Sequence, residues 1–257
     1  MTIAARAIDI GYPGHVVGRS IDLTLEDGEV LCVLGPNGSG KTTLLRTLLG
    51  LIPALDGSIA VNGTDIREVP RDPVAREIAY VPQASLPAFD FSAGEIVLMG
   101  RTAHVGAFSS PTARDREMAR TAMERLDVQE LAPRAISAVS GGERQLVLIA
   151  RALATEARAI VMDEPTANLD FGNQARVLAQ VARLRDAGVA ILLCTHDPDH
   201  AFQVADRVLL LRGGRAITLA RTEEALTAEN LSALYGVPVQ VAEIATAAGV
   251  RRVCVRV

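Results

Sequence analysis

The chain has 257 residues, of which 49% are hydrophobic and 22% are charged. This composition excludes a disordered chain and predicts one sizeable core, or one core with an attached subdomain. A formal net charge of −4 and a pI near 5.6 leave no basic surface of the kind that neutralises a nucleic-acid backbone, so we expect no nucleic-acid partner.

The cysteines and the apolar runs bear on location. Cys32, Cys194 and Cys254 are odd in number and far apart in sequence, which favours reduced thiols over disulfides or a zinc site. The N-terminus lacks a charged start followed by an apolar core, and no run approaches the ~18 apolar residues that span a bilayer. We therefore expect a cytosolic protein whose membrane role comes through a partner.

The first predicted elements are short strands. Residues 2–10 and 20–26 have the composition of strands, and residues 58–66 are typical of a hairpin that turns at Asn62-Gly63. Together they predict a small antiparallel sheet.

A glycine-rich loop follows the first fully apolar run. Val30–Leu34 is typical of a strand buried on both faces, and a helix is predicted from Thr42 to about Leu51. In this context the loop is a specific phosphate-binding motif, because its backbone amides can surround the β- and γ-phosphates at the positive end of the helix. Lys41 can bridge the phosphates and Thr42 can offer its hydroxyl to Mg²⁺, so the predicted ligand is a nucleoside triphosphate. The loop consists of Gly35, Pro36, Asn37, Gly38, Ser39, Gly40, Lys41, Thr42 and Thr43.

Lys41 is the only lysine in the chain, and every other fixed positive charge is arginine. A coding bias toward arginine accounts for the surface, but position 41 then marks a place where arginine does not fit. The guanidinium is broad and forked, whereas the ammonium is a compact charge that can sit between two phosphate oxygens under a tight loop. We infer that the chemistry of the loop requires lysine.

The stretch from about residue 85 to 155 is helical in pattern. Ser92 and Glu95 are spaced as a capping box, and Met118, Ala122 and Leu126 recur on one helix face. We expect an inserted helical subdomain here.

A second helix start near the end of this stretch can also bind an anion. Ser140, Gly141, Gly142 and Glu143 precede a helical pattern that runs to Ala154. A serine hydroxyl and a glycine pair then lie at a positive helix end, although alone they indicate no more than a capped helix.

The later apolar runs are predicted to be further strands of the central sheet. Ala159–Met162 and Val189–Cys194 are typical of buried strands joined by a helix around 172–186, as in a mainly parallel sheet. Further along, Val208–Leu211 and Arg215–Ile217 flank Gly213-Gly214 as a hairpin would, and Val253–Val257 alternates like an edge strand.

Two carboxylates follow Met162. Asp163 and Glu164 lie at the carboxyl edge of a buried strand, where ligands of open α/β sheets bind. Asp163 is placed to hold Mg²⁺ through its water shell, and Glu164 to accept a proton from an attacking water. A solvent-facing acidic pair is the alternative, but the phosphate loop upstream favours the functional interpretation.

In this order of motifs the chain resembles an ATP-binding cassette (ABC) ATPase from about residue 3 to 240. The resemblance implies an α/β fold: a P-loop NTPase core with a mainly parallel sheet, an antiparallel β subdomain and an inserted helical subdomain. We divide the single domain, residues 1–257, into a core at about 1–84 and 156–240, a helical subdomain at about 85–155 and a C-terminal edge segment at about 240–257.

The resemblance also implies named motifs and roles. Residues 35–43 would be the Walker A loop and Gln83 the residue of the Q-loop. The signature would be Val139–Glu143. The Walker B strand would end at Asp163-Glu164, and the D-loop would be Ala167–Asp170. ATP and Mg²⁺ would be the ligands. Gln83 would touch Mg²⁺ or the attacking water, and His196 would contact the γ-phosphate and orient Glu164.

In that family the signature of one subunit caps the γ-phosphate held by the Walker A loop of another. The resemblance therefore implies a head-to-tail dimer with a second copy, or with a similar cassette, in which Ser140 and Gly142 act on the partner's nucleotide. Gly141 and Asp170 are also expected to bind nucleotide. Tyr12 lies where the family usually keeps an aromatic that stacks on adenine; a tyrosine that merely packs is the alternative.

Val97–His104, Asp170–Gln174 and Leu231–Val237 resemble ATPases of metal-chelate importers, whose substrates include iron-siderophores, haem, cobalamin and molybdate. The implied partners are transmembrane permease subunits and, indirectly, a solute-binding protein, with the chain on the cytoplasmic face of the membrane. The surface around residues 86–104 would receive the permease; an ordinary solvated helix face is the alternative. The signature departs from its commonest form at two positions, where Val139 replaces Leu and Glu143 replaces Gln. In addition, Ala103 occupies a position where this branch often has Pro.

Two other functions are compatible with the motifs. One is a soluble ABC-type ATPase that remodels nucleic acid or protein complexes, which the acidic pI disfavours. The other is a nucleotide-gated module that does not hydrolyse ATP, which the presence of Glu164 and His196 disfavours. The cargo is not set by this chain, because in such systems the binding pocket belongs to the permease and the solute-binding protein.

Overall fold

A computed structural model describes residues 2–83, 90–105, 109–247 and 249–257, except for the side chains of residues 71 and 72. Parts of the predicted helical stretch and of the predicted permease surface, residues 85–89 and 106–108, lie outside the described residues. The strands are β1 (Ile3–Tyr12), β2 (His15–Leu25), β3 (Val30–Leu34), β4 (Asp56–Val61), β5 (Thr64–Asp65), β6 (Ile78–Val81), β7 (Ala159–Asp163), β8 (Ala190–Thr195), β9 (Arg207–Arg212), β10 (Arg215–Arg221), β11 (Val239–Thr246) and β12 (Gly249–Arg256). The helices are α1 (Lys41–Leu48), α2 (Arg71–Glu77), α3 (Ala93–Leu98), α4 (Ala113–Arg125), α5 (Gly141–Ala154), α6 (Phe171–Asp186), α7 (Pro198–Val204), α8 (Thr222–Ala225) and α9 (Ala228–Tyr235), with 3-10 turns at Met99–His104, Gln129–Leu131 and Ile136–Ala138.

The central sheet has the strand order β10-β9-β3-β8-β7-β6 and is parallel except where β9 meets β10. Every side chain of β3, β7 and β8 is buried, as expected of parallel strands covered on both faces. The residues that follow these three strands are Gly35, Glu164 and His196. Because the strands are parallel, three predicted site segments meet at one edge of the sheet.

The predicted antiparallel sheet is confirmed, with the strand order β2-β1-β4-β5. Strand β1 continues past its predicted end and β2 starts before its predicted beginning, and the two form a hairpin in which Tyr12 pairs with His15. The predicted turn at Asn62-Gly63 joins β4 to β5, and both residues have positive φ angles, 49° and 83°. Two positive φ angles are what a two-residue type I′ hairpin turn requires.

Helix α1 packs with side chains from both sheets. Leu44, Leu45 and Leu48 are fully buried in one cluster with side chains of β1, β2 and β3. The helix ends at Leu48, ahead of the predicted Leu51, because Gly50 adopts a left-handed φ of 66° that terminates helices.

The helices α3, α4 and α5 lie between β6 and β7 in the chain and share one hydrophobic cluster. The predicted capping box of Ser92 and Glu95 is confirmed. A buried arginine also joins these helices. The Nε of Arg101 lies 3.1 Å from Asp115 Oδ1. Its Nη1 lies 2.8 Å from Glu156 Oε2 and donates to the carbonyl of Ala154, also at 2.8 Å. Arg101 and Asp115 are both buried, so this pair holds the start of α4 against the end of α5.

The strand predicted at Val253–Val257 is part of β12, which begins earlier, at Gly249, and ends at Arg256. Strand β12 pairs with β11 in a two-stranded ribbon and not with the central sheet. Helix α9 precedes the ribbon, and Gly236 ends this helix with a left-handed φ of 71°. Within the described ranges, no helix is both long enough and apolar enough to cross a membrane.

Candidate functional site at the edge of the central sheet

The phosphate loop, residues 35–43, connects the end of β3 to the start of α1. The backbone amide of Gly35 donates to the carbonyl of Thr195 at 3.3 Å, which ties the loop to the end of the neighbouring strand β8. Gly40 has a φ of 104°, a conformation that side chains with a Cβ rarely adopt, and it turns the chain into α1. The loop therefore presents its backbone at the N-terminus of α1, where anions are favoured.

Lys41 is held at the centre of this loop. Its Nζ donates to the carbonyl oxygens of Gly35 at 2.8 Å and Pro36 at 3.2 Å, and lies 3.2 Å from Oε1 of Glu164. Its side chain is only 5% exposed. The geometry fits a compact ammonium and leaves little room for a branched guanidinium.

Asp163 ends β7 with a buried carboxylate. Its Oδ1 has no hydrogen-bond partner, although the residue is only 2% exposed. Burial raises the pKa of this carboxyl, while a hydrogen bond with Thr42 opposes the shift. An unpartnered carboxylate oxygen beside a threonine hydroxyl at an anion-binding loop fits Mg²⁺, which takes one or two protein ligands and fills its other positions with phosphate and water.

No self-sufficient metal cage competes with this interpretation. In the part of the chain that the structure describes, no group of three or more His, Cys, Asp or Glu side chains could hold a metal ion. A cation at Asp163 would therefore depend on ligands from a bound nucleotide.

Glu164 stands between two other site residues. Its Oε1 lies 3.2 Å from Lys41 Nζ and its Oε2 lies 3.3 Å from Nδ1 of His196. Its backbone is left-handed, with φ at 47°, and its amide donates to the carbonyl of Cys194 at 3.0 Å. Such backbone strain is common at functional sites and here aims the carboxylate out of the sheet edge.

A cavity of about 420 Å³ lies beside the phosphate loop, and Asp163 and His196 are not among the residues that line it. The structure brings Lys41, Thr42, Gln83 and Glu164 together in its wall. The other lining residues are Val17, Asn37, Gly38, Gly40 and Thr43. Tyr12 does not line the cavity; it lies at the end of β1 with 41% of its surface exposed.

The predicted signature begins helix α5 away from this cavity. Ser140 caps the helix by accepting from the amide of Glu143 at 3.3 Å, and Glu143 Oε2 accepts from the Ser140 amide at 2.8 Å. This pair lowers the pKa of Glu143. Ser140 and Gly141 are exposed, so the helix end is open to a ligand or to another chain.

The D-loop residue Asp170 is linked to the signature through Asn173 of the same chain. Asp170 caps α6 by accepting from the Asn173 amide at 2.8 Å and from Asn173 Nδ2 at 2.9 Å. The same Asn173 fills the space where Gly142 lacks a Cβ: a Cβ there would lie 2.2 Å from Asn173 Oδ1. Gly142 is therefore required by close packing, a contact that the sequence motif alone did not reveal.

Two further contributors were missed from the sequence. Val17 reaches the cavity from β2, and no local pattern marks it. His200 is buried, with its Nδ1 at 3.2 Å from Thr166 Oγ1 and 3.3 Å from Thr195 Oγ1. Burial lowers the pKa of His200, and its contacts with the two threonines brace the end of β8. Its position four residues after His196 was the available signal in the sequence.

The comparisons with known proteins agree with this architecture. The family model of the ABC transporter matches residues 19–167. An uncharacterised ABC transporter ATP-binding protein of Haemophilus influenzae is 40% identical over 235 residues, which cover 91% of this chain and 89% of the relative. The manganese transport system ATP-binding protein MntB of Bacillus subtilis is 36% identical over 89% of this chain and 90% of its own length. The hemin import ATP-binding protein HmuV of Myxococcus xanthus is also 36% identical, over 95% of this chain and 93% of its own length.

A solved structure shows the same fold along the whole chain. It is a transporter described as of metal-chelate ABC type in an inward-facing conformation, with 32% identity and a TM-score of 0.89 over 100% of this chain and 97% of that one. The predicted α/β fold with a parallel sheet, an antiparallel sheet and helices is thereby confirmed. The chain belongs to the ABC transporter family as an ATP-binding subunit, an ATPase that powers transport.

Proposed function

We propose that two copies of this chain bind ATP and Mg²⁺ head to tail and drive a transmembrane permease that imports a metal chelate. The observation that carries the proposal is the position of Glu164, whose carboxylate is held between Lys41 and His196 in the wall of the phosphate-loop cavity. A carboxylate there can take a proton from a water that attacks a bound γ-phosphate.

The phosphate loop would hold the nucleotide. Its backbone amides lie at the N-terminus of α1, and Lys41 supplies a compact buried charge for the β- and γ-phosphates. Asp163, Thr42 and Gln83 would hold Mg²⁺, which when bound neutralises charge on the phosphate oxygens.

His196 would orient the general base. Its Nδ1 lies 3.3 Å from Glu164 Oε2, while its side chain is 51% exposed and can reach toward a phosphate. The ring can thus contact substrate and carboxylate together, and a carboxylate fixed in this way needs less reorganisation when it accepts the proton.

The second copy would complete the site. Ser140, Gly141, Gly142 and Asp170 do not line the cavity of their own chain, and Ser140, Gly141 and Asp170 are exposed. The N-terminus of α5 carries the positive end of a helix, which is suited to a phosphate presented by another subunit. Tyr12 remains available to stack on the adenine, because its ring is exposed at the end of the β1–β2 hairpin.

A separate groove of about 470 Å³ would receive the permease. It is lined mainly by apolar residues from the end of α1, from α2 and β6, and from the 3-10 turn Met99–His104. Leu51 and Met99 are 52% and 40% exposed at this groove. An amphipathic helix of a permease would cover them, and the chain would then lie on the cytoplasmic face of the membrane with a solute-binding protein as an indirect partner.

The cargo is proposed by similarity. Relatives named for manganese and for hemin transport are equally identical to this chain, while the solved structure is of metal-chelate type. We therefore propose an iron-siderophore, haem, cobalamin or a related chelate.

The test is purification of the chain from its native membranes, identification of the copurifying subunits, and reconstitution of that complex into liposomes. ATP-driven uptake of ferric siderophore, haemin or cobalamin, abolished by Glu164→Gln, is the expected result. Isolation without any membrane subunit, together with ATP hydrolysis stimulated by soluble protein or nucleic-acid complexes, would identify the remodelling ATPase instead.

A further inference from the structure

The switch loop, residues 195–199, connects the end of β8 to α7 and carries His196. A hydrogen bond within the loop fixes its carboxyl-terminal half: Asp197 Oδ1 accepts from the amide of Asp199 at 2.8 Å. Thr195 is fixed by the neighbouring strand and by buried His200. Between these two anchors, the backbone of His196 itself meets a residue from a distant part of the chain.

That residue is Tyr235, the last residue of α9. Its hydroxyl donates to the carbonyl oxygen of His196 at 2.8 Å. Burial raises the pKa of Tyr235, so the hydroxyl is protonated at neutral pH and is available as a donor.

Hydrogen bonds join the switch loop to the C-terminal elements. A cleft of about 790 Å³ lies between the loop, the end of α9 and β12. Two hydrogen bonds bridge the cleft: the one from Tyr235, and one from the amide of Cys254 to Asp199 Oδ1 at 2.7 Å. These hydrogen bonds fix the loop relative to α9 and β12.

Helix α9 is a firm support for such a bond. Leu231 and Leu234 are buried in a cluster that includes Leu34, the residue just before the phosphate loop. The helix is also tied to the ribbon, because the amide of Val239 donates to Ser232 Oγ at 2.9 Å. Tyr235 thus connects the switch loop to the same core on which the phosphate loop rests.

We propose that Tyr235 is a positioning residue for ATP hydrolysis, which holds the backbone of His196 so that its ring stays beside Glu164. The inference rests on the proposed role of His196 at the γ-phosphate. It extends the hydrolytic machinery to the C-terminal helix, which touches neither the cavity nor the signature.

The test compares three variants of the full-length protein. Tyr235→Phe removes only the hydroxyl, and we expect kcat to fall about three- to tenfold with an unchanged KM for ATP, as for loss of one neutral hydrogen bond. Thr246→Val is the matched control: it also removes one side-chain hydroxyl bond, to the carbonyl of Gly249 at the far end of the ribbon, and kcat should stay at the wild-type value. His196→Ala, measured by a radiolabelled phosphate-release assay sensitive to slow turnover, reports on the role of His196 itself.

The outcomes separate the inference from the proposed function. In the His196→Ala background, Tyr235→Phe should cause no further loss of kcat, because the hydroxyl acts through His196. Wild-type kcat in Tyr235→Phe, an equal loss in Thr246→Val, or the same fold-loss with and without His196 would each overturn the positioning role. Wild-type turnover in His196→Ala alone would instead overturn the proposed role of His196.

Discussion

The ammonium nitrogen of Lys41 lies 3.2 Å from Oε1 of Glu164, so the only lysine of the chain joins the phosphate loop to the residue after β7. The two partners follow β3 and β7, which lie on either side of β8 in the central sheet, and both side chains are largely buried. Each can act on the same bound phosphate, the lysine as a fixed positive charge and the glutamate as a base.

We expect Lys41→Arg to weaken ATP binding by about tenfold or more although the charge is kept. The lysine site is closed by the carbonyls of Gly35 and Pro36, and a forked guanidinium would have to displace them. Titration with a fluorescent ATP analogue measures the Kd, with Arg120→Lys on exposed α4 as the control. Wild-type affinity and turnover in Lys41→Arg would refute the steric requirement for lysine.

Glu164→Gln should lower turnover by about 10²–10⁴-fold and leave ATP affinity nearly unchanged. The amide keeps the size of the side chain but cannot accept the proton of the attacking water. Phosphate release at saturating ATP and nucleotide titration separate the two effects. The control is Glu130→Gln, the same change at an exposed carboxylate of a 3-10 turn; undiminished turnover in Glu164→Gln would exclude the general-base role.

Asp163→Asn should remove most of the gain in ATP affinity that Mg²⁺ provides. The Oδ1 of Asp163 is buried without a partner, and its negative charge is what a divalent cation would recognise. The Kd for ATP is measured with Mg²⁺ and with EDTA in both proteins. We expect the EDTA values to agree and the Mg²⁺ values to diverge; an unchanged Mg²⁺ effect in Asp163→Asn would remove Asp163 from the metal site.

The parts of the site that were predictable are those where a buried strand ends in polar residues. The runs before Gly35 and Asp163 are apolar without interruption, and such runs fix both the strands and the sheet edge at which they end. Val17 and His200 could not be predicted in the same way. The first reaches the cavity through the register of a long hairpin, and the second acts through tertiary contacts with Thr166.

The position of the C-terminal strand depends on the same kind of long-range contact. Its alternating pattern predicted a strand at 253–257 but contained no information on its partner. The partner is β11, the strand that directly precedes it in the chain, and α9 packs on the core ahead of this ribbon. The contact of Tyr235 with His196 follows from this arrangement and has no local signature.

Asp115→Asn should destabilise the protein at neutral pH, and its effect should fade in acid. Hydrogen bonds from Thr112, assisted by Arg101, lower the pKa of Asp115 to about 2, below its unfolded value of about 3.9. The ionised carboxylate therefore contributes stability above about pH 4, and this contribution is lost as the pH falls toward 2.

Urea unfolding of wild type and Asp115→Asn at several pH values checks this direction of the pH dependence. The difference in unfolding free energy should be constant from about pH 7 to pH 5 and shrink below about pH 4. Asp186→Asn is the control, because its exposed pair with Arg185 should contribute little at any pH. A difference that grows in acid would contradict the depressed pKa.

Gly142→Ala and Gly141→Ala should differ sharply although the two glycines are adjacent. A Cβ at Gly142 would lie 2.2 Å from Asn173 Oδ1 and 2.7 Å from its Cβ, whereas a Cβ at Gly141 would meet nothing closer than Leu169 Cδ2 at 3.5 Å. We expect Gly142→Ala to lower the free energy of unfolding by about 1–3 kcal/mol, because Asn173 must move and its bonds with Asp170 must break. Gly141→Ala should be close to neutral in the same urea titration. Adding Asn173→Ala to Gly142→Ala should restore part of the loss, since only the Cβ clash then remains; equal stability of the two glycine variants would show that Asn173 does not constrain the signature.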